Sequence, residues 1–139
     1  MSDLEKHLYD QAGGTVHSIS ISSGNDDDEW LEKIEITGGN RICIVSILVC
    51  FRTDYAADGD ECGASMVLSS GASDAEVDAA SDNITILDNI EVASAEQPFF
   101  MNFEGCPIIG LDNQSLWLKG FTLDTAHPPN ITVQYMVLP

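Results

Sequence analysis

The chain is predicted to be all-β, an antiparallel β-sandwich of the jelly-roll type with about eight or nine strands and a short N-terminal arm. Three observations predict it. Apolar residues recur with period two over most of the length, which is the spacing of one face of a strand. Clusters of Gly, Asn, Asp and Pro interrupt that pattern at short intervals, as turns between strands do. Helical spacing is confined to the first eleven residues.

In Ser2 to Gln11, Leu4 and Leu8 stand at i and i+4 with Tyr9 beside them. A helix this short is marginal alone in water, so the arm (1–11) is expected to pack on its own sandwich or to reach a neighbouring subunit. Val16 to Ser22 places His17, Ile19 and Ile21 on one side and serines on the other. Asn25 to Glu29 is a polar turn, and Trp30 to Thr37 alternates again, with Trp30, Ile34 and Ile36 facing together. Gly38-Gly39-Asn40 then turns the chain into RICIVSILVCF, residues 41–51.

Both parities of that run are apolar, which predicts a strand covered on both faces. It is too short for a membrane: the ten uncharged residues between Arg41 and Arg52 extend about 15 Å as a helix, half of what a bilayer needs. Cys43 and Cys50, seven positions apart, are expected on opposite faces and too far apart to bond.

Asp54 to Gly63 reads as a polar loop and Ala64 to Leu68 as a strand. Ser69 to Asp82, small and acidic, is expected as an exposed excursion with at most a helical turn. Asn83 to Val92, Gln97 to Phe103, Pro107 to Leu111, Ser115 to Phe121 and Asn130 to Leu138 supply the remaining strands. Residues 1–139 are expected to form a single domain, since nothing repeats and no linker divides them.

Charge excludes some functions. Lys and Arg number 5 against 23 Asp and Glu, a formal net charge of -18, so phosphate backbones and anionic membrane surfaces are repelled. No partner of either kind is expected. The start, MSDLEKHLYDQ, lacks the apolar stretch of a signal peptide, which predicts synthesis in a reducing cytosol. Cys43, Cys50, Cys62 and Cys106 include no C-x-x-C pair and no nearby His, so free thiols are expected and no zinc.

Catalytic chemistry finds little support. His7, His17 and His127 stand apart from any nucleophile motif, and each is read as a surface or packing residue. Two acidic clusters, Asp26-Asp27-Asp28-Glu29 and Asp54, Asp58, Asp60 and Glu61 around Gly59, offer oxygen ligands without matching an EF-hand loop. No enzyme activity, cofactor or resident metal is expected. Trp117 has the opposite parity to Leu116 and Leu118 and is therefore expected outside the core, where a tryptophan marks a contact surface.

The closing stretches Cys106-Pro107-Ile108-Ile109-Gly110-Leu111, Asn113 to Gly120 and Asn130 to Leu138 resemble those of small β-sandwich virion proteins of tailed bacteriophages. Such proteins end on a P-I-x-L strand, a dSLwvka strand and a vtVsYlev strand. Ile44 to Arg52 and Ile86 to Val92 fall in the order that pattern has, and the resemblance covers about residues 41–138. The cysteines, the long stretch from Asp54 to Asp82 and the N-terminal arm depart from it.

The resemblance implies a virion structural protein of the capsid-decoration or head-fibre type on the outer capsid surface. It implies partnership with the major capsid protein or other virion proteins, and a homotrimer. Leu4, Leu8, Tyr9 and Trp117 are the expected assembly contacts. The competing expectation is a cytosolic carbohydrate-binding jelly roll, with Trp117 or the loop from Asp54 to Glu61 as its site.

Overall fold

Strand β3 (Arg41–Cys50) organises the first of two sheets. The structure, a computed structural model, describes residues 3–22, 29–50, 62–92, 99–103, 105–121 and 130–139. One side of β3 pairs antiparallel with β9 (Asn130–Leu138) along its length, and the other pairs first with β7 (Ile108–Ile109) and then with β6 (Phe99–Asn102). β1 (His17–Ser22) adds to the far side of β9, giving the order β1-β9-β3-β6 with β7 beside β6 on the same edge of β3. The second sheet contains β2 (Trp30–Ile34), β8 (Ser115–Phe121), β4 (Cys62–Ser69) and β5 (Ile84–Val92), in the order β2-β8-β4-β5. Among the described residues two helices accompany them, α1 (Asp3–Gln11) and α2 (Asp74–Ala79).

The chain changes sheets at nearly every step. It passes from β1 to the second sheet for β2, back for β3, across for β4 and β5, back for β6 and β7, across for β8, and home for β9. All pairings are antiparallel, and this winding is that of a jelly roll, as expected. The core lies between the sheets: Ile42, Ile44, Ile47, Val49, Ile131 and Val133 from the first meet Ala64, Met66, Leu68, Leu116 and Leu118 from the second.

A bulge changes the meaning of the apolar run. Ile44 pairs with Tyr135 and Ser46 with Gln134, so Val45 is an extra residue in β3. The insertion rephases the strand. Ile42 and Ile44 before it, and Ile47 and Val49 after it, all reach zero exposure in the one core. The two apolar parities expected to signal two covered faces therefore arise largely from one face read through a bulge. The bulge also overturns the expected placement of the cysteines. Cys43 and Cys50 both lie on the outer side of the sheet, Cys43 buried and Cys50 exposed.

A second bulge acts similarly in β2. Glu32 pairs with Trp117 and Ile34 with Leu116, leaving Lys33 as the extra residue. Ile34 consequently enters the core while Trp30 turns outward, so the two do not share a face as expected. The turn before β3 forms as its sequence predicts. Gly38 and Gly39 take φ of 71° and 76°, the left-handed region that costs a glycine little, and the Gly39 amide donates to Asn113 Oδ1 at 2.7 Å.

Candidate functional site

Among the described residues, one helix lies on the outer face of each sheet, and both segments were expected to be sites of contact or exposure. α1 sits against the first sheet. Leu8 is 4% exposed and packs on Cys43, Met136 and Leu138, with Tyr9, Ala12, Val45 and Ile109 around them. The helix ends where Gly13 and Gly14 take φ of 70° and 75°, the Gly14 amide donating to the Tyr9 carbonyl at 2.9 Å. Beneath α1, burial pushes the Cys43 thiol up to about 11, with the positive charge of Arg41 opposing.

α1 leaves part of this outer face uncovered. Leu4, one turn before Leu8 on the same face of the helix, is 48% exposed. Further along, Phe100 of β6 pairs with Leu48 of β3, on the opposite side from the core-facing pair Ile47 and Met101. Phe100 is 60% exposed and Leu48 half-buried, with exposed Cys50 next along the outer face of β3.

On the second sheet, α2 corrects two expectations. Ser69 to Asp82 is not a loose excursion, because Val77 of α2 is fully buried against Val67 and Trp117. Trp117 does face away from the sandwich interior, as its parity predicts, but it is only 5% exposed because α2 covers it. The covered ring presents no contact surface on this chain. Ser73 caps the helix by accepting from the Glu76 amide at 3.4 Å, while Glu76 Oε2 accepts from the Ala72 amide at 2.8 Å. Ser73-Asp74-Ala75-Glu76 is thus a capping-box pattern, the sequence signal that would have announced α2.

Polar side chains tie α2 down. Asp74 accepts from the Trp30 backbone amide and Asp78 from Trp30 Nε1, each at 2.7 Å. Lys119 stands 3.8 Å from Asp78 and 5.5 Å from the centre of the Trp30 ring. Gly71 lets the helix approach, since a Cβ there would meet Val77 N at 2.7 Å. Between α2 and β4–β5 a recess of about 190 Å³ opens, lined by Ser65, Val67, Asp78, Asn83, Thr85 and Asp88 among others.

Buried Gln114 joins the ends of both sheets. Its Oε1 accepts from the Leu111 amide at 2.9 Å and its Nε2 donates to the Asp82 carbonyl at 2.7 Å. Nothing in the sequence distinguished this glutamine.

His17 stacks on Tyr135 with ring centres 5.1 Å apart, and His7 is exposed on α1. His127, the acidic cluster from Asp54 to Glu61 and Asp26 to Asp28 lie outside the described residues. Among the described residues no three His, Cys, Asp or Glu side chains converge as metal ligands. No helix among them is long and apolar enough to cross a membrane.

No protein-family model and no curated protein matches this chain. Solved structures do resemble it in outline. A chain of Desmodium yellow mottle tymovirus is 10% identical with a TM-score of 0.45, over 89% of this chain and 85% of that one. A chain of tomato aspermy virus is 10% identical with a TM-score of 0.41, over 90% and 78%. A chain of the virus-like particle of extra small virus from the giant freshwater prawn Macrobrachium rosenbergii is 5% identical with a TM-score of 0.38, over 87% and 77%. The jelly roll itself is established by the strand order and hydrogen-bonded registers of this chain.

Proposed function

We propose that this protein is a virion structural protein that works by protein–protein contact, as a decoration protein docked on the outer surface of a capsid in several copies. The observation that carries the reading is the outer face of the first sheet. There the Phe100–Leu48 pair leaves apolar surface in water beside the stretch that α1 covers. Exposed apolar surface on a rigid sheet is the usual mark of a docking surface. Burying it across a seam between capsid subunits would add contacts that internal pressure must break before the shell opens. The resemblance of the closing strands to phage decoration proteins agrees with this role, as does a net charge of -18, which suits a position away from packaged nucleic acid.

The test is co-sedimentation of the purified protein with empty capsids of the virus whose genome encodes it, alongside its mass in solution. Wild type should pellet with capsids, while Phe100→Ser should stay in the supernatant with its fold intact by circular dichroism. Removal of residues 1–11 tests α1 in the same assay, with loss of pelleting or of oligomers expected. A gene remote from head and tail genes, together with a protein that never pellets, would overturn the proposal.

A further inference from the structure

The recess beside α2 has the makings of a second site, independent of the virion reading. One wall is apolar, formed by Val67, Val77 and Trp30, and the rest carries the hydroxyls of Ser65 and Thr85 and the carboxylates of Asp78 and Asp88. Its volume, about 190 Å³, is below the range of about 300–1,000 Å³ for drug-sized ligands, so it suits one small ring rather than an extended chain. Two aspartates in a chain of net charge -18 repel an anion. A metal cation is disfavoured as well, because Asp78 is already engaged by Trp30 Nε1 and Lys119.

One polar atom of the lining residues is buried without a partner. Asn83 donates through Nδ2 to the Val77 carbonyl at 2.7 Å, leaving its Oδ1 unpaired. A buried acceptor left unpaired is costly to the fold. A hydroxyl group is able to donate to such an acceptor.

We infer that the recess between α2 and the outer face of β4–β5 binds a neutral, hydroxyl-rich ring, that is, a single sugar unit. The C–H face of the ring would lie on Val67, Val77 and Trp30, with its hydroxyls directed to Thr85, Asp88 and Asn83.

The experiment titrates the full chain with glucose, galactose, mannose and N-acetylglucosamine, with N-acetylneuraminic acid and calcium chloride as charged comparisons. Tryptophan fluorescence and ligand-observed saturation-transfer NMR give the readouts. At least one neutral sugar should saturate at millimolar concentration and shift the emission of the tryptophans flanking Val77. Thr85→Val and Asp88→Ala, both at exposed positions, should each weaken binding about fivefold or more. Asp112→Ala, outside the recess, should leave binding unchanged, and unaltered circular dichroism would show that all three variants fold. Any one of three outcomes would overturn the inference: no neutral sugar saturating by about 100 mM, a response confined to the acidic sugar or to calcium, or affinity unchanged in both recess variants.

Discussion

Val77→Ala perturbs the single apolar side chain by which α2 holds to the second sheet. Val77 is fully buried between Val67 and Trp117, and the substitution deletes two methyl groups. At about 0.8 kcal/mol per carbon, the lost transfer free energy is about 1.6 kcal/mol. The cavity adds to it. α2 cannot easily close the gap, because its backbone already lies so near Gly71 that a Cβ there would meet Val77 N at 2.7 Å. A total of about 2–3 kcal/mol follows, or a urea midpoint lower by about 1 M for a chain of this size. Urea unfolding followed by tryptophan emission is the appropriate assay, since Trp30 and Trp117 both pack in the Val77 cluster. If α2 detaches before the sandwich melts, emission should shift in urea too dilute to change the far-ultraviolet circular dichroism. A midpoint within about 0.2 M of wild type and an unchanged emission maximum would refute the argument that burial of Val77 fixes α2.

Gln114→Leu should cost about 1–3 kcal/mol, because it removes the buried side chain that bonds the Leu111 amide and the Asp82 carbonyl; thermal unfolding would show this as a fall in Tm. Cys43 should resist alkylation near neutral pH while exposed Cys50 and Cys106 react, and Leu8→Asp should bring Cys43 to the rate of Cys50 by lifting α1, as mass spectrometry of labelled peptides can follow. The Cys43 thiol has its pKa raised from 9.0 to about 11, so the folded state holds this proton more tightly than the unfolded state does. Its contribution to stability is therefore intact below pH 9 and declines as pH rises toward 11, which urea midpoints across that window would detect. Added sodium chloride should raise Tm, because salt screens the self-repulsion of 23 acidic residues against 5 basic ones; a flat response from 10 mM to 1 M, where the screening length falls from about 30 to about 3 Å, would contradict this.

Alternation at Ile19, at Leu116 and Leu118, and at Ile131 and Val133 was enough to place strands and their inner faces. Period-two patterning reports directly which side of a strand meets an apolar core. The glycine pair at Gly38-Gly39 marked its turn for an equally local reason, the positive φ that glycine tolerates. Leu4 and Leu8 announced a short helix for the same kind of reason, their i, i+4 spacing. Local pattern failed where one extra residue changed the phase. Val45 and Lys33 carry no mark distinguishing a bulged residue from a paired one, and only the registers against β9 and β8 reveal them. Those bulges decided that Ile44 and Ile47 share a core, that Cys43 and Cys50 share a face and that Trp30 turns outward.

The candidate sites were legible in type but not in place. Parity sent Trp117 outward, yet whether an outward tryptophan meets water depends on what packs over it. Ser73 to Glu76 carries a helix-start signal, but nothing local indicates that Val77 of that helix lands on Val67, ten residues earlier, and Trp117, forty residues later. Likewise, Leu8 reads as one half of a helical pair, and only the β3–β9 face gives it Cys43 and Met136 to cover. The sequence by itself determined the all-β class, the strands and the acidic surface, because these follow from residue type and short-range spacing. Tertiary structure alone decided which outward faces are covered, because that depends on contacts between residues far apart in the chain.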